Sequence, residues 1–186
     1  MLKQVSRSSF VKLHDSLHRY ADRCGSDPHV VACLAFLCEA ERPFEREQKD
    51  GHFTGSAWLV DADGERVLLT HHRKLNRWLQ LGGHADGDSD LAAVALREAG
   101  EESGLAGLVV ESDIFDVDRH WIPERKREPG HWHYDVRYVV RAGKGDAFVI
   151  SEESLELAWV SIRSIAGDDG ADESLRRMAR KWLARG

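Results

Sequence analysis

The chain has 186 residues, 31% of them charged and 42% hydrophobic, and a formal net charge of −6 at pH 7, which suits one medium domain that buries a real core. No apolar run approaches the roughly 20 residues that span a bilayer, so a membrane protein is excluded. The acidic balance argues against a nucleic-acid coat, which needs clustered Lys and Arg, yet it is compatible with a nucleotide that carries a bound cation.

Met1 to Arg7 lacks the apolar stretch of a signal peptide, and Cys24, Cys33 and Cys38 are odd in number and confined to the amino-terminal part. A reducing cytoplasm is therefore the expected compartment. From residue 8 to 41 apolar positions recur at helical spacing, Phe10, Leu13, Leu17 and Tyr20, then Val30, Val31, Leu34 and Leu37. They predict two helices separated near Gly25-Ser26-Asp27-Pro28. A polar connector from Glu41 to Gly51 follows, so residues 1–50 read as a helical extension and 51–186 as the main domain. The extension could serve a homodimer contact, a lid or another protein contact.

Ala57 to Val60 and Arg66 to Thr70 flank the turn-forming Asp61-Ala62-Asp63-Gly64 and predict a hairpin. A strand from Trp78 to Leu81 leads into Gly82-Gly83, and a helix runs from about Asp88 to Ser103. Strands follow at Val109 to Val117, His133 to Val140 and Leu155 to Val160, with a closing helix from Asp172 to Ala184. This mixed order predicts an α+β layered domain.

The helix after the glycine pair carries the most chemistry. Asp88, Ser89 or Asp90 can cap its start, and Gly104 can take the left-handed conformation that ends it. At about 100° per residue, Leu91, Val94 and Ala95 form an apolar stripe on whose continuation Glu98, Glu101 and Glu102 fall. Three like charges on an inward face repel unless a cation neutralises them. Magnesium or manganese suits such carboxylates and keeps positions for water and substrate phosphate. Arg97 stands four residues before Glu101, the spacing of a helical ion pair that would orient a carboxylate. Gly82 and Gly83 permit close backbone approach to metal or phosphate, and a carbonyl such as that of Gly82 could be a further ligand. Gly100 costs the helix about 1 kcal/mol relative to alanine, which close packing there would explain.

The 23 residues from Gly83 to Leu105 resemble the Nudix box: a glycine, then Arg97-Glu98, then Glu101-Glu102, Gly104 and Leu105 at the family's spacing. Three positions depart. Ser89 stands where the family usually has a glutamate, with Asp88 or Asp90 as the acid that substitutes; Leu81 replaces a common proline; Ala99 is small for its aliphatic position. The resemblance implies an α/β/α sandwich around a mixed β-sheet and metal-dependent hydrolysis of a diphosphate linkage in a nucleoside diphosphate derivative. It also implies a further acid from a loop, for which Glu153 is favoured over Glu152, so that Glu98 or Glu153 is the general base.

His131, His133 and Asp135 would share one strand face. Zinc could bind such histidines, but with no cysteine nearby substrate contact or polar pairing is the preferred reading, with His133 assigned to substrate. His84, directly after the glycines, is read as a phosphate contact or a simple turn residue. Trp58, Trp78, Trp121 and Trp132 could stack on a nucleobase, although most should be core. Two rival functions are carried along: a Nudix-like nucleotide sensor without catalysis, which the intact acids oppose, and an isopentenyl-diphosphate isomerase, which the absence of a cysteine near the glycine pair opposes.

Overall fold

A computed structural model describes residues 7–25, 27–73, 76–124, 129–145, 147–149 and 154–185. Two amino-terminal helices, α1 (Arg7–Cys24) and α2 (Pro28–Glu39), precede strands β1 (Gly51–Val60), β2 (Arg66–His72) and β3 (Arg77–His84). Helix α3 (Leu91–Ser103), strands β4 (Val109–Ile122), β5 (His131–Arg141) and β6 (Ser154–Ser161), and helices α4 (Ile162–Gly167) and α5 (Glu173–Leu183) complete the order. Among the described residues no helix is long and apolar enough to cross a membrane.

The strands form one mixed sheet in the order β4-β5-β1-β3-β2-β6, in which only β1 and β5 run parallel. Strand alternation sorts β1 into two layers. Phe53, Ala57 and Leu59 join α1, α2 and α3 in one core, while Trp58 and Val60 join Ile162, Ile165, Leu175 and Met178 of α4 and α5 in the other. The result is the expected α/β/α sandwich. Every residue of β1 is buried, because it lies between β5 and β3 and is covered on both faces.

The amino-terminal helices form as read. Asp27 caps α2 by accepting from His29 N at 2.9 Å and Val30 N at 3.0 Å, with Pro28 at the first helical position. They do not stand apart, since Leu13, Leu17, Tyr20, Val30 and Leu37 share the core of α3 and the sheet. Phe36 stacks on Tyr134 of β5 with ring centroids 4.0 Å apart.

The hairpin expectation needs correction. The turn exists, with Asp61 Oδ1 accepting from Glu65 N and Arg66 N, but β1 and β2 share a single pair, Val60 with Val67. After the turn β2 diverges to lie between β3 and β6, and β3 takes the place beside β1. Strand β1 also begins at Gly51, six residues before the predicted start; the mostly polar segment His52 to Ser56 is held extended by its central position.

A buried charge network ties α5 to the sheet. Arg137, 2% exposed, donates to Asp135 Oδ2 at 2.7 Å and Asp116 Oδ2 at 3.2 Å. Arg177 of α5 reaches Asp116 at 2.7 Å and Asp118 at 2.6 Å, and Lys181 reaches Asp116 at 2.5 Å and the Tyr20 hydroxyl of α1. Three cations thus face three carboxylates. Burial alone would raise the Asp118 carboxyl, but His120, Arg137 and Arg177 hold it well below the usual carboxylate range, and Asp116 is likewise held low against burial by Arg177, Arg137 and Lys181.

Carboxyl groups depressed in the fold stabilise it at pH values above their unfolded pKa and lose that contribution as pH falls. Urea unfolding should therefore show stability declining once pH drops below about 4. At neutral pH Arg177→Ala should cost about 3 kcal/mol, because it strips a partner from buried charges, and the gap from wild type should narrow in acid. Gly100 yields a second expectation. A Cβ there would meet nothing within 4 Å, so the close packing expected at this position is absent. Gly100→Ala should add about 1 kcal/mol, or roughly 2–4 °C in Tm, in a thermal melt.

Candidate metal and substrate site

Asp90 caps α3 by accepting from Ala93 N at 3.1 Å, Asp88 accepts from Asp90 N at 2.9 Å, and Gly104 ends the helix with φ 68°. Leu91, Val94, Ala95, Ala99 and Ser103 are buried. Because Ala99 and Ser103 carry the buried stripe to one side, Glu98 and Glu102 lie half-buried at its margin and Glu101 is exposed. The expectation that all three acids face inward is corrected for Glu101.

Glu98 and Glu102 meet the end of β3. The pairing of β2 with β3 stops at Leu69 and Gln80, which leaves the Gly82 N–H without a strand partner on that side. Glu102 Oε1 takes it at 2.8 Å. Glu98 lies over Gly83 so closely that a Cβ at Gly83 would stand 2.5 Å from Glu98 Cδ, and one at Gly82 would stand 2.8 Å from Ser56 Cα. Neither glycine can carry a side chain without moving the acid or the neighbouring strand. Arg97 pairs with Glu98 Oε1 at 3.0 Å and donates to the His84 carbonyl at 3.4 Å; it therefore holds Glu98 where sequence spacing pointed to Glu101. Each half-buried acid has its own anchor, and the three glutamates are not drawn into one tight donor group. Their oxygen chemistry beside close-approaching backbone suits a hard divalent cation.

The neighbouring residues of β3 face the other way. His84 joins His52, His131 and His133 on the sheet face opposite Glu98, in a contiguous set of imidazoles. Ring centroids lie 5.0 Å apart for His52 and His84, 4.9 Å for His52 with His131 and with His133, and 5.2 Å for His84 and His133. Burial, together with neighbouring imidazoles, pushes His52 down to about 4 and His133 down to about 2, so both are neutral near pH 7. Asp135 shares the His131 and His133 face as expected. It is already occupied by Thr54 Oγ1 at 2.8 Å, Ser56 Oγ at 2.7 Å, Gln80 Nε2 at 3.2 Å and Arg137.

Sequence reasoning missed His52. The signal was its in-register parallel partner, since His52 pairs with His133, but that register becomes visible only once β1 starts at Gly51. Of the tryptophans, Trp58 is core; Trp78 is half-buried against His71, Trp132 lies beneath the Arg119 guanidinium, and Trp121 is 49% exposed. Cys33 is buried, Cys24 and Cys38 are exposed, and all belong to α1 and α2, so none joins the glycine pair. Glu153, like Glu152, lies outside the described residues.

A family profile described as a NUDIX domain matches residues 51–183. No curated protein matches the sequence significantly. Solved structures share the fold at low identity. A MutT protein from Methanosarcina mazei is 22% identical with a TM-score of 0.56, over 74% of this chain and 96% of its own. A Caenorhabditis elegans Ap4A hydrolase is 17% identical with a TM-score of 0.56, over 72% and 96%. The Escherichia coli dihydroneopterin triphosphate pyrophosphohydrolase is 14% identical with a TM-score of 0.55, again over 72% and 96%. With its profile match over most of the chain, and with Glu98 and Glu102 meeting the end of β3, the chain belongs to the Nudix family, and so among hydrolases that act on phosphoric anhydride bonds.

Proposed function

We propose that the chain hydrolyses a diphosphate linkage in a nucleoside diphosphate derivative, by water attack at phosphorus, with Mg2+ or Mn2+ held by Glu98, Glu101, Glu102 and the Gly82 carbonyl. The observation that carries this reading is the convergence of Glu98 and Glu102 on Gly82-Gly83, where no side chain fits. Glu101, exposed and one residue before Glu102 on α3, would join the site from its solvent side. In an extended strand the N–H and C=O of one residue point the same way, so the Gly82 carbonyl faces the edge that Glu102 occupies. When bound, the cation polarises phosphoryl oxygen and lowers the pKa of a water ligand.

The protein's own residues provide positioning and charge, which is most of what phosphoryl transfer needs. Arg97 keeps the Glu98 carboxylate turned toward the strand end. Glu98 or Glu153 takes the proton from the attacking water. Gly82 and Gly83 let the substrate phosphates approach the backbone, and His84 and His133 contact the substrate from the other face of β3. The nucleotide is a small-molecule partner; a polynucleotide is disfavoured by the net charge of −6. Residues 1–50 form a helical extension to a catalytic unit at 51–186, available for a homodimer contact, and the cytoplasm is the compartment that suits the free thiols. Asp90, as the helix cap, leaves Asp88 as the better substitute for the acid missing at Ser89.

A product-resolved screen with Mg2+ or Mn2+ over nucleotide sugars, dinucleotides, nucleoside triphosphates and coenzyme A should find a cleaved diphosphate. Binding of ADP-ribose with no product from any compound would instead establish the sensor. On the substrate found, Glu102→Gln should lower the rate at least about 100-fold, more than loss of an orienting partner costs, while folding is kept because glutamine still accepts from Gly82. Wild-type turnover by that variant across a full Mg2+ titration would remove Glu102 from the site. Arg97→Ala should cost about 10–100-fold; unchanged turnover at saturating metal would make it an ordinary surface cation.

A further inference from the structure

Among the described residues, one group of three potential ligands has its donor atoms within 4.8 Å of one another: His52, His131 and His133. We infer that these three imidazoles form a second metal site, for one divalent transition ion of the zinc class, separate from the carboxylate site and on the opposite face of the sheet. The site stands whether or not the chain hydrolyses a diphosphate.

The geometry is close to what such an ion requires. A tetrahedral centre with Zn–N bonds of about 2.0–2.1 Å places ligand nitrogens about 3.3–3.4 Å apart; His131 Nε2 and His133 Nε2 are 3.2 Å apart. His131 Nδ1 is 2.8 Å from the Pro129 carbonyl. That contact requires the proton on Nδ1 and so leaves the Nε2 lone pair pointing at His133. A ligating imidazole whose other N–H is held by a backbone carbonyl is the usual outer support of a metal site. Neither ring nitrogen of buried His52 makes a hydrogen bond of good geometry, its approach to the Gln48 backbone being a poorly aligned one. A buried polar group so poorly partnered is destabilising, and a coordinate bond would relieve it. A His52 ring nitrogen lies within 4.8 Å of the ligand nitrogens of His131 and His133, on the side of the sheet they share. Nitrogen donors select zinc-like ions over magnesium, so the two faces of the sheet sort two kinds of cation by ligand chemistry alone. Three protein ligands leave a fourth position for water.

The test is a titration of the chelator-stripped, full-length protein with Zn2+ against a competing chelating dye, with Co2+ absorption as a second readout. Expected are one Zn2+ per chain, undisplaced by millimolar Mg2+, and the intense visible bands of four- or five-coordinate Co2+ with imidazole ligands. His52→Ala and His133→Ala should each weaken Zn2+ binding at least about 100-fold, beyond the loss of an outer-shell partner, whereas a Glu98→Gln, Glu102→Gln double variant should bind Zn2+ as wild type does. Should an alanine variant misfold, His133→Asn judged folded by circular dichroism serves: Zn2+ should raise the wild-type Tm and leave that variant's unchanged. Binding that survives loss of the histidines, binding that vanishes with the glutamates, or no stoichiometric binding would overturn the site.

Discussion

The arrangement of this protein turns on one unpaired strand edge. Strand β2 leaves β3 after Gln80, and a buried or half-buried N–H needs an acceptor. Glu102 supplies it, and α3 can come this close because Gly83, beneath Glu98, has no side chain. The same approach puts Glu98 over Gly83 and lets Arg97 reach both Glu98 and the His84 carbonyl. Helix and strand end thus form one unit, whose acids are fixed by backbone geometry as well as by one another.

The opposite face depends on electrostatics more than on packing. Arg137 has no exit to water, and its charge is tolerable because Asp116, Asp118 and Asp135 surround it. Arg177 and Lys181 then return the balance to neutrality and fasten α5. Asp135 also accepts from Thr54 and Ser56 of β1 and from Gln80 of β3, so one carboxylate bridges the three strands that carry the site. A buried pair of this kind is costly to break and adds little over an apolar substitute. Its contribution here is position: it holds the register in which His52, His84 and His133 become neighbours.

The two amino-terminal helices, α3 with its caps, and the closing helix were legible in the sequence because each is long enough to show a period and carries a stop signal. Helix α4, with six residues, is too short for that. The hairpin misreading has a related cause, since turn chemistry at Asp61 to Gly64 shows where the chain reverses but not which strand lies alongside. Spacing anticipated that Glu98 and Glu102 turn inward and that Arg97 pairs with a glutamate of the same helix, though with Glu98 and not Glu101. Glu101 was misplaced because a helical wheel built on Leu91, Val94 and Ala95 does not anticipate that Ala99 and Ser103 shift the buried stripe. His52 was invisible for want of pairing: its segment has weak strand propensity, and only the neighbours β3 and β5 make it the centre of the sheet.

One sheet keeps two chemistries apart by the alternation of its strands. Adjacent residues of a strand point to opposite faces, so Gly83 meets Glu98 on one side while His84 meets imidazoles on the other. Asp135 does share the histidine face, but its oxygens are engaged by Thr54, Ser56, Gln80 and Arg137, while alternation keeps the imidazoles off the acid face, where they would displace a hard ion. Alternation does this at no cost in extra residues. It also makes the division fragile, for a slip of one residue at the end of β3 would turn His84 toward α3 and leave Glu98 facing a side chain it has no room for. The pairs Thr54 with His84, Gly55 with Gly83 and Ser56 with Gly82 resist that slip, and through Thr54 and Ser56 the resistance leads back to Asp135 and its buried arginine.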